Sequence, residues 1–194
     1  WGGIGLGVIV GAIVVHRSGE SVTRFMDAVA PGLLLAQAIG RWGNWWNQEL
    51  FGGPTDLPWG LEIDPENRPI DDVDSETFHP TFLYEALWNL GAAALLLLLD
   101  RRFRFRPPAL FALYIALYTG FRFYLESLRI DPSEEIAGLR VNAWVSLVIF
   151  VVSTLFFVWW QFLRGRRERL RERGPKPAPP KTMTVPRGRV RRPR

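Results

Sequence analysis

The sequence contains no cysteine, and only two histidines occur among its 194 residues. Without a thiol there can be no disulfide, no thiolate metal ligand and no cysteine nucleophile, so any sulfur chemistry acts on a thiol carried by a substrate. Nothing calls for a metal or a cofactor. No internal repeat is present, and no inverted pair of interrupted helices of the kind many transporters carry. No charged leader precedes the first apolar run, and residue 1 is Trp1, so the start is expected to lie inside a larger protein with helices upstream.

What is present is apolar and strongly segregated in charge. Apolar residues make up 48% of the chain, and nine tryptophans are among them. Residues 1–163 carry a net charge of −6 and residues 164–194 one of +11, so the overall +5 belongs to the tail. Basic residues gathered after the last apolar run fit a cytoplasmic anchor beside anionic lipid and not a nucleic-acid surface. Five apolar segments can be marked, at Gly3–Val15, Phe25–Ile39, Thr81–Leu99, Ala109–Leu125 and Ala143–Leu163. Only the third and fifth are clear spans by themselves, at the roughly 20 residues a spanning helix needs.

The loops support the other three. Arginines occur in 16–24 (Arg17, Arg24), in 100–107 (Arg101, Arg102, Arg104, Arg106) and in the tail, and these alternate with 48–78, which holds nine acidic residues against Arg68, and with the short mixed loop 127–142. Basic loops belong on the cytoplasmic side. Five spans with the C-terminus inside satisfy every loop, and omitting any one would put basic loops on opposite faces. The expected fold is therefore all-α, a polytopic integral membrane protein of residues 1–163 with a small irregular periplasmic head at about 48–78. The basic cytoplasmic tail, 164–194, is expected to be largely disordered, because its Pro/Arg-rich sequence cannot bury an apolar face. Removal of 175–194 should cost little.

Three polar runs sit at the outer helix ends. In the first, Gly40-Arg41-Trp42-Gly43-Asn44-Trp45-Trp46-Asn47-Gln48-Glu49-Leu50-Phe51-Gly52, the tryptophans suit an interfacial belt, whereas Arg41, Asn44, Asn47 and Glu49 are costly in lipid unless they face a polar cavity. The alternative is an anchor in which Arg41 snorkels to headgroups. In the second, His79-Pro80-Thr81-Phe82-Leu83-Tyr84-Glu85, Pro80 suits a first helical turn, and Thr81, Tyr84 and Glu85 share a face directed into the bundle. His79 is either a cap or a proton-transfer group. In the third, Tyr118, Arg122, Glu126 and Arg129 form one stripe on an otherwise aromatic helix. Arg122 and Glu126 can neutralise each other, but two arginines and one carboxylate leave a cation over, and a guanidinium fork suits a phosphate. Charge alone thus points to an anionic headgroup.

These three blocks, in this order, resemble prolipoprotein diacylglyceryl transferase, the bacterial membrane family that lipidates the lipobox cysteine of prolipoproteins. The likeness covers about residues 1–163, as the last five of the family's seven spans. It implies a transferase of the bacterial plasma membrane, active site facing the outer leaflet. The enzyme would move a diacylglyceryl group from phosphatidylglycerol to the cysteine thiol in the prolipoprotein signal peptide, forming a thioether and releasing glycerol phosphate. The family's essential arginines match Arg41 and Arg122, and Asn44, Glu49, Gly52, Tyr118 and Glu126 fall at positions it uses for structure or catalysis. The catalytic expectation is Arg41, Arg122, Glu126, Glu49, Asn44 and His79, and the substrate-binding one Arg41, Asn44, Asn47, Gly52, Tyr84, Tyr118, Arg122 and Arg129. Where many members have His-Gly-Gly, this chain has Trp1-Gly2-Gly3, so a histidine often proposed as base is missing and the base is left open. A lipid or ion transporter and a non-enzymatic scaffold are the competing readings.

Overall fold

The computed structural model describes residues 2–164, and the expectations for the tail lie outside them. Five long helices are built from the five apolar segments: α1 (Gly2–Arg17), α2 (Val22–Gly40), α4 (Thr81–Arg102), α5 (Ala109–Glu126) and α6 (Val141–Val158), the last continued by a π-helical turn over Trp159–Arg164. A short helix, α3 (Trp42–Asn47), follows α2 directly because Arg41 keeps right-handed helical angles between them. By length and hydropathy, Val22–Asn47, Thr81–Arg102 and Val141–Arg164 are long and apolar enough to cross a membrane. The protein is thus an all-α, multi-helix membrane protein, with strands confined to small hairpins.

Helix starts are set by specific groups. The Ser21 hydroxyl accepts a hydrogen bond from the Arg24 amide at the head of α2. The Asp27 carboxylate, on α2, accepts one from Phe111 N at 2.8 Å. An acceptor at the first turn of α5 satisfies an otherwise orphaned amide and complements the helix dipole, and it fixes the register of α2 against α5. Pro31 lies inside α2 and the helix continues through it, so α2 is not a broken helix.

The bundle centre is made of small and medium side chains: Ala30 and Leu34 from α2, Ala92, Ala93 and Leu96 from α4, Leu110 and Tyr114 from α5. Small residues let helix backbones approach closely where lipid offers no hydrophobic driving force. α6 packs chiefly on α5. At the end of the bundle remote from the polar motifs, Gln161 accepts from Arg106 N and donates to the Arg104 carbonyl, and Trp160 donates to the Pro107 carbonyl. The arginine-rich loop and the end of α6 therefore share one face of the protein.

The opposite end carries the head. Its hairpin pairs β1 (Leu61–Glu62) with β2 (Thr77–Phe78), and its own core is Phe51, Ile63 and Phe78. Gln48, in the left-handed region at φ 48°, turns the chain out of α3, and its amide side chain holds Asp64 and Asn67. The head is joined to the bundle through backbone: Gly52 N donates to His79 O, His79 N to Gly53 O, and Gly53 N to Leu128 O. A Cβ at Gly52 would lie 2.8 Å from both His79 Cβ and Leu128 O, so only glycine permits this approach. A second hairpin, β3 (Glu135–Ile136) with β4 (Leu139–Arg140), leads into α6.

Candidate functional site

The three motifs meet where α2 ends, α4 begins and α5 ends. Glu85, 2% exposed, is the hub: Arg41 Nη2 lies 2.8 Å from its Oε1 and Arg122 Nη1 3.4 Å from its Oε2. Arg122 Nη2 is also 2.8 Å from Oε2 of Glu126, one turn on along α5. Glu126 is buried as well and meets Arg129 Nη1 at 4.0 Å and Arg140 Nε at 3.2 Å. Arg129 and Arg140 converge on Asp131, each at 2.7 Å, and Arg140 Nη1 donates to the Arg129 carbonyl at 2.8 Å. Burial pushes the Asp131 carboxyl up, but the hydrogen bond and charge of Arg129, joined by those of Arg140, outweigh it and hold the group below the usual carboxylate range.

Two features of this cluster bear on chemistry. The carboxylates lie behind and the guanidinium groups in front: the Glu85 and Glu126 side chains are 3% and 0% exposed, Arg41 and Arg122 23% and 15%. In addition, Glu85 Oε1 and both Glu126 oxygens receive their cations without aligned hydrogen bonds, so the N–H directions of Arg41 and Arg122 are not spent on those oxygens. Arg41, Asn44, Thr81, Glu85, Arg122 and Arg129 enclose a space of about 10 Å³, room for roughly one water.

A second polar tier lies one helical turn deeper on each helix. Gln37, Asn89 and Tyr118 are spaced four residues inward from Arg41, Glu85 and Arg122. The Tyr118 hydroxyl lies within reach of the charges of Glu85, Arg41 and Arg122, and Gln37 donates to the Tyr114 hydroxyl at 3.2 Å. Asn89 is fully buried, with no hydrogen-bond partner for either amide atom among the described residues.

The remaining expected residues divide into two sets. Asn44 extends the cluster, accepting from Arg41 Nη1 at 3.5 Å and donating to Glu49 Oε1 at 3.1 Å, and Asn47 donates to the same oxygen. Glu49 itself is exposed. His79 and Tyr84 form a separate group: Tyr84 OH accepts from Trp59 Nε1 at 3.0 Å and pairs with His79 Nδ1 at 3.1 Å. Among the described residues no hydrogen bond or ion pair joins these two to the arginines. Thr81 and Glu85, at i and i+4, do face the cluster, while Tyr84, at i+3, is turned toward the head. Gly52 sits at the backbone seam between head and bundle, where it is bridged to the backbone of Arg129.

Sequence reasoning passed over Asp131 and Arg140 and gave Glu85 no role beyond a buried face. A usable signal was available for Arg140, because an arginine at the acidic-loop end of the last apolar run runs against the preference for basic residues on the other side.

A family model described as prolipoprotein diacylglyceryl transferase matches residues 1–159. The chain belongs to this family. It is 54% identical over 151 residues to phosphatidylglycerol–prolipoprotein diacylglyceryl transferase 2 of Streptomyces coelicolor, a match covering 78% of this chain and 48% of that protein. With the transferase of Frankia alni it is 56% identical, covering 78% and 40%, and with that of Paenarthrobacter aurescens 49% identical, covering 86% and 54%. The chain thus spans about half the length of these curated transferases. Within the matched region lie all the diacylglyceryl transferase motifs quoted above and every residue of the ionic cluster.

Proposed function

We propose that the protein transfers a diacylglyceryl group from phosphatidylglycerol to the lipobox cysteine of a prolipoprotein, with residues 1–163 as its membrane catalytic domain and 48–78 as the head over the site. Family membership supports the reaction class. The observation that carries the site is the pair of guanidinium groups from different helices, presented in front of buried carboxylates that hold them apart. Arg41 and Arg122 take the non-bridging oxygens of the lipid phosphate. In the reaction a C–S bond forms at the glyceryl carbon as its C–O bond to phosphate breaks, and glycerol phosphate leaves with the electron pair. Cations fixed around that phosphate stabilise the charge it gains, in a setting of low dielectric.

The attacking thiol, of ordinary pKa about 8.5, must lose its proton. Glu126 is enclosed by Arg122, Arg129 and Arg140 and serves to orient them. Glu49, exposed and linked to Arg41 through Asn44, is the better placed proton acceptor.

The test is mass spectrometry of a lipobox peptide incubated with the full-length protein in phosphatidylglycerol vesicles. The expected result is a diacylglyceryl mass gain on the peptide cysteine, lost when that cysteine is replaced by serine. An unmodified peptide under saturating lipid counts against the reading.

The same reading places the cluster and the head on the outer side and the arginine-rich ends, with the tail, in the cytoplasm. The Cys-free background makes this simple to check. A cysteine introduced at Ser75, in the head, is expected to react with a membrane-impermeant maleimide in intact spheroplasts. Reaction only after the inner face is opened would invert the topology.

A further inference from the structure

We infer that Arg140 is a positioning residue whose charge gives the cluster its net positive character and so sets its affinity for an anionic lipid headgroup. The inference rests on the reading of the site as a phospholipid phosphate site. Arg140 does not line the space between Arg41, Glu85 and Arg122. It stands behind it, where β4 passes into α6, 9% exposed, with its guanidinium group among three partners: Nη1 donates to the Arg129 carbonyl and Nη2 to Asp131 Oδ2, while Nε lies 3.2 Å from Glu126 Oε1 as an ion pair without an aligned hydrogen bond.

Counting the groups joined by ion pairs gives Arg41, Arg122, Arg129 and Arg140 against Glu85, Glu126 and Asp131, a surplus of one positive charge. Glu49 reaches this network only through Asn44 and is solvent-exposed, where water screens it. A phosphodiester carries one negative charge, so the surplus matches one headgroup. Without Arg140 the network is balanced. Glu126 would then draw only on Arg122 and Arg129, competing with the ligand for the same guanidinium groups. Asp131 acts in the opposite sense, because it offsets one cation from the exposed edge of the network, its side chain 28% exposed. Removing its charge raises the surplus to two.

Neutralising the two partners of one salt bridge should therefore move lipid affinity in opposite directions. Phosphatidylglycerol is titrated into phosphatidylcholine vesicles holding the full-length protein, and both transfer rate and binding of a fluorescent phosphatidylglycerol are followed. Arg140→Gln is expected to raise KM and Kd for phosphatidylglycerol about tenfold with a smaller change in kcat. Asp131→Asn is expected to lower them, and the double variant, whose surplus is again one, to return toward the parent. Arg140→Lys, which keeps the charge but not the three-way fork, should hold KM within a few-fold and guards against a folding defect in Arg140→Gln. A purely structural salt bridge predicts instead that both single variants lose folded protein together and that lysine does not rescue. Unchanged KM and Kd in Arg140→Gln, a shift of the same sign in Asp131→Asn, or failure of lysine to rescue overturns the inference. Binding that shifts as expected in a protein without transfer activity sustains it while refuting the catalytic reading.

Discussion

Arg41→Lys and Arg122→Lys are each expected to slow diacylglyceryl transfer on the order of a hundredfold, equivalent to about 3 kcal/mol of lost transition-state stabilisation. Lysine keeps the charge, so the loss comes from geometry. Arg41 reaches Glu85 with one nitrogen and Asn44 with another, and Arg122 spans Glu85 and Glu126. An ammonium group cannot span two such partners and still present a planar pair of donors to a phosphate. The measurement is turnover per folded molecule, with membrane-inserted protein quantified in parallel. Variants that insert normally and turn over at the parental rate would remove both arginines from the site, whereas loss of inserted protein at normal specific activity would assign them a structural role.

Glu85→Ala should damage the fold itself. The side chain is buried between two guanidinium groups on helices other than its own. Removing one partner of a buried ionic set leaves uncompensated charge, at a cost of about 3–5 kcal/mol. The expected readout is a clearly lower melting temperature in detergent and less protein recovered from the membrane. Glu85→Gln, which can still accept a hydrogen bond, should fall between. Parental melting in Glu85→Ala would show that the two arginines find other partners and that the hub is not one.

Much of the architecture can be read from hydropathy, and the residues it misses are instructive. The five apolar segments correspond to the five long helices, but α2 starts at Val22, three residues before the apolar run, because its start is fixed by the Ser21 hydroxyl and not by hydrophobicity. Likewise α4 continues to Arg102 and α6 begins at Val141. Val22–Asn47 forms one apolar stretch of 26 residues because α3 extends α2 through Arg41, a continuity of backbone angles that composition does not record. The arginine stripe on α5 was visible as a period, whereas the part played by Glu85 was not, since an acid standing alone at the start of α4, fifteen residues from Asp100, has no pattern of its own. Its function depends on what α2 and α5 bring to it. Arg140 and Asp131 were passed over for a related reason: they lie in a loop with no periodicity, and their meaning arises from a hairpin that folds back on Glu126.

The order in which the ionic cluster is encoded also bears on how the protein is made. Arg41, Glu85, Arg122, Glu126, Arg129, Asp131 and Arg140 leave the ribosome in that sequence, so each acid follows at least one of its cations and precedes another. When α4 enters the bilayer, Glu85 meets an arginine already delivered by α2 and need not cross the apolar layer as a bare charge. Arg122 and Glu126 arrive on one helix, already paired. Closure of Arg140 on Glu126 waits for the hairpin before α6, so a nascent chain that has just delivered Asp131 holds three cations against three acids, and the surplus of the mature site is restored only when Arg140 arrives at the start of the last long helix.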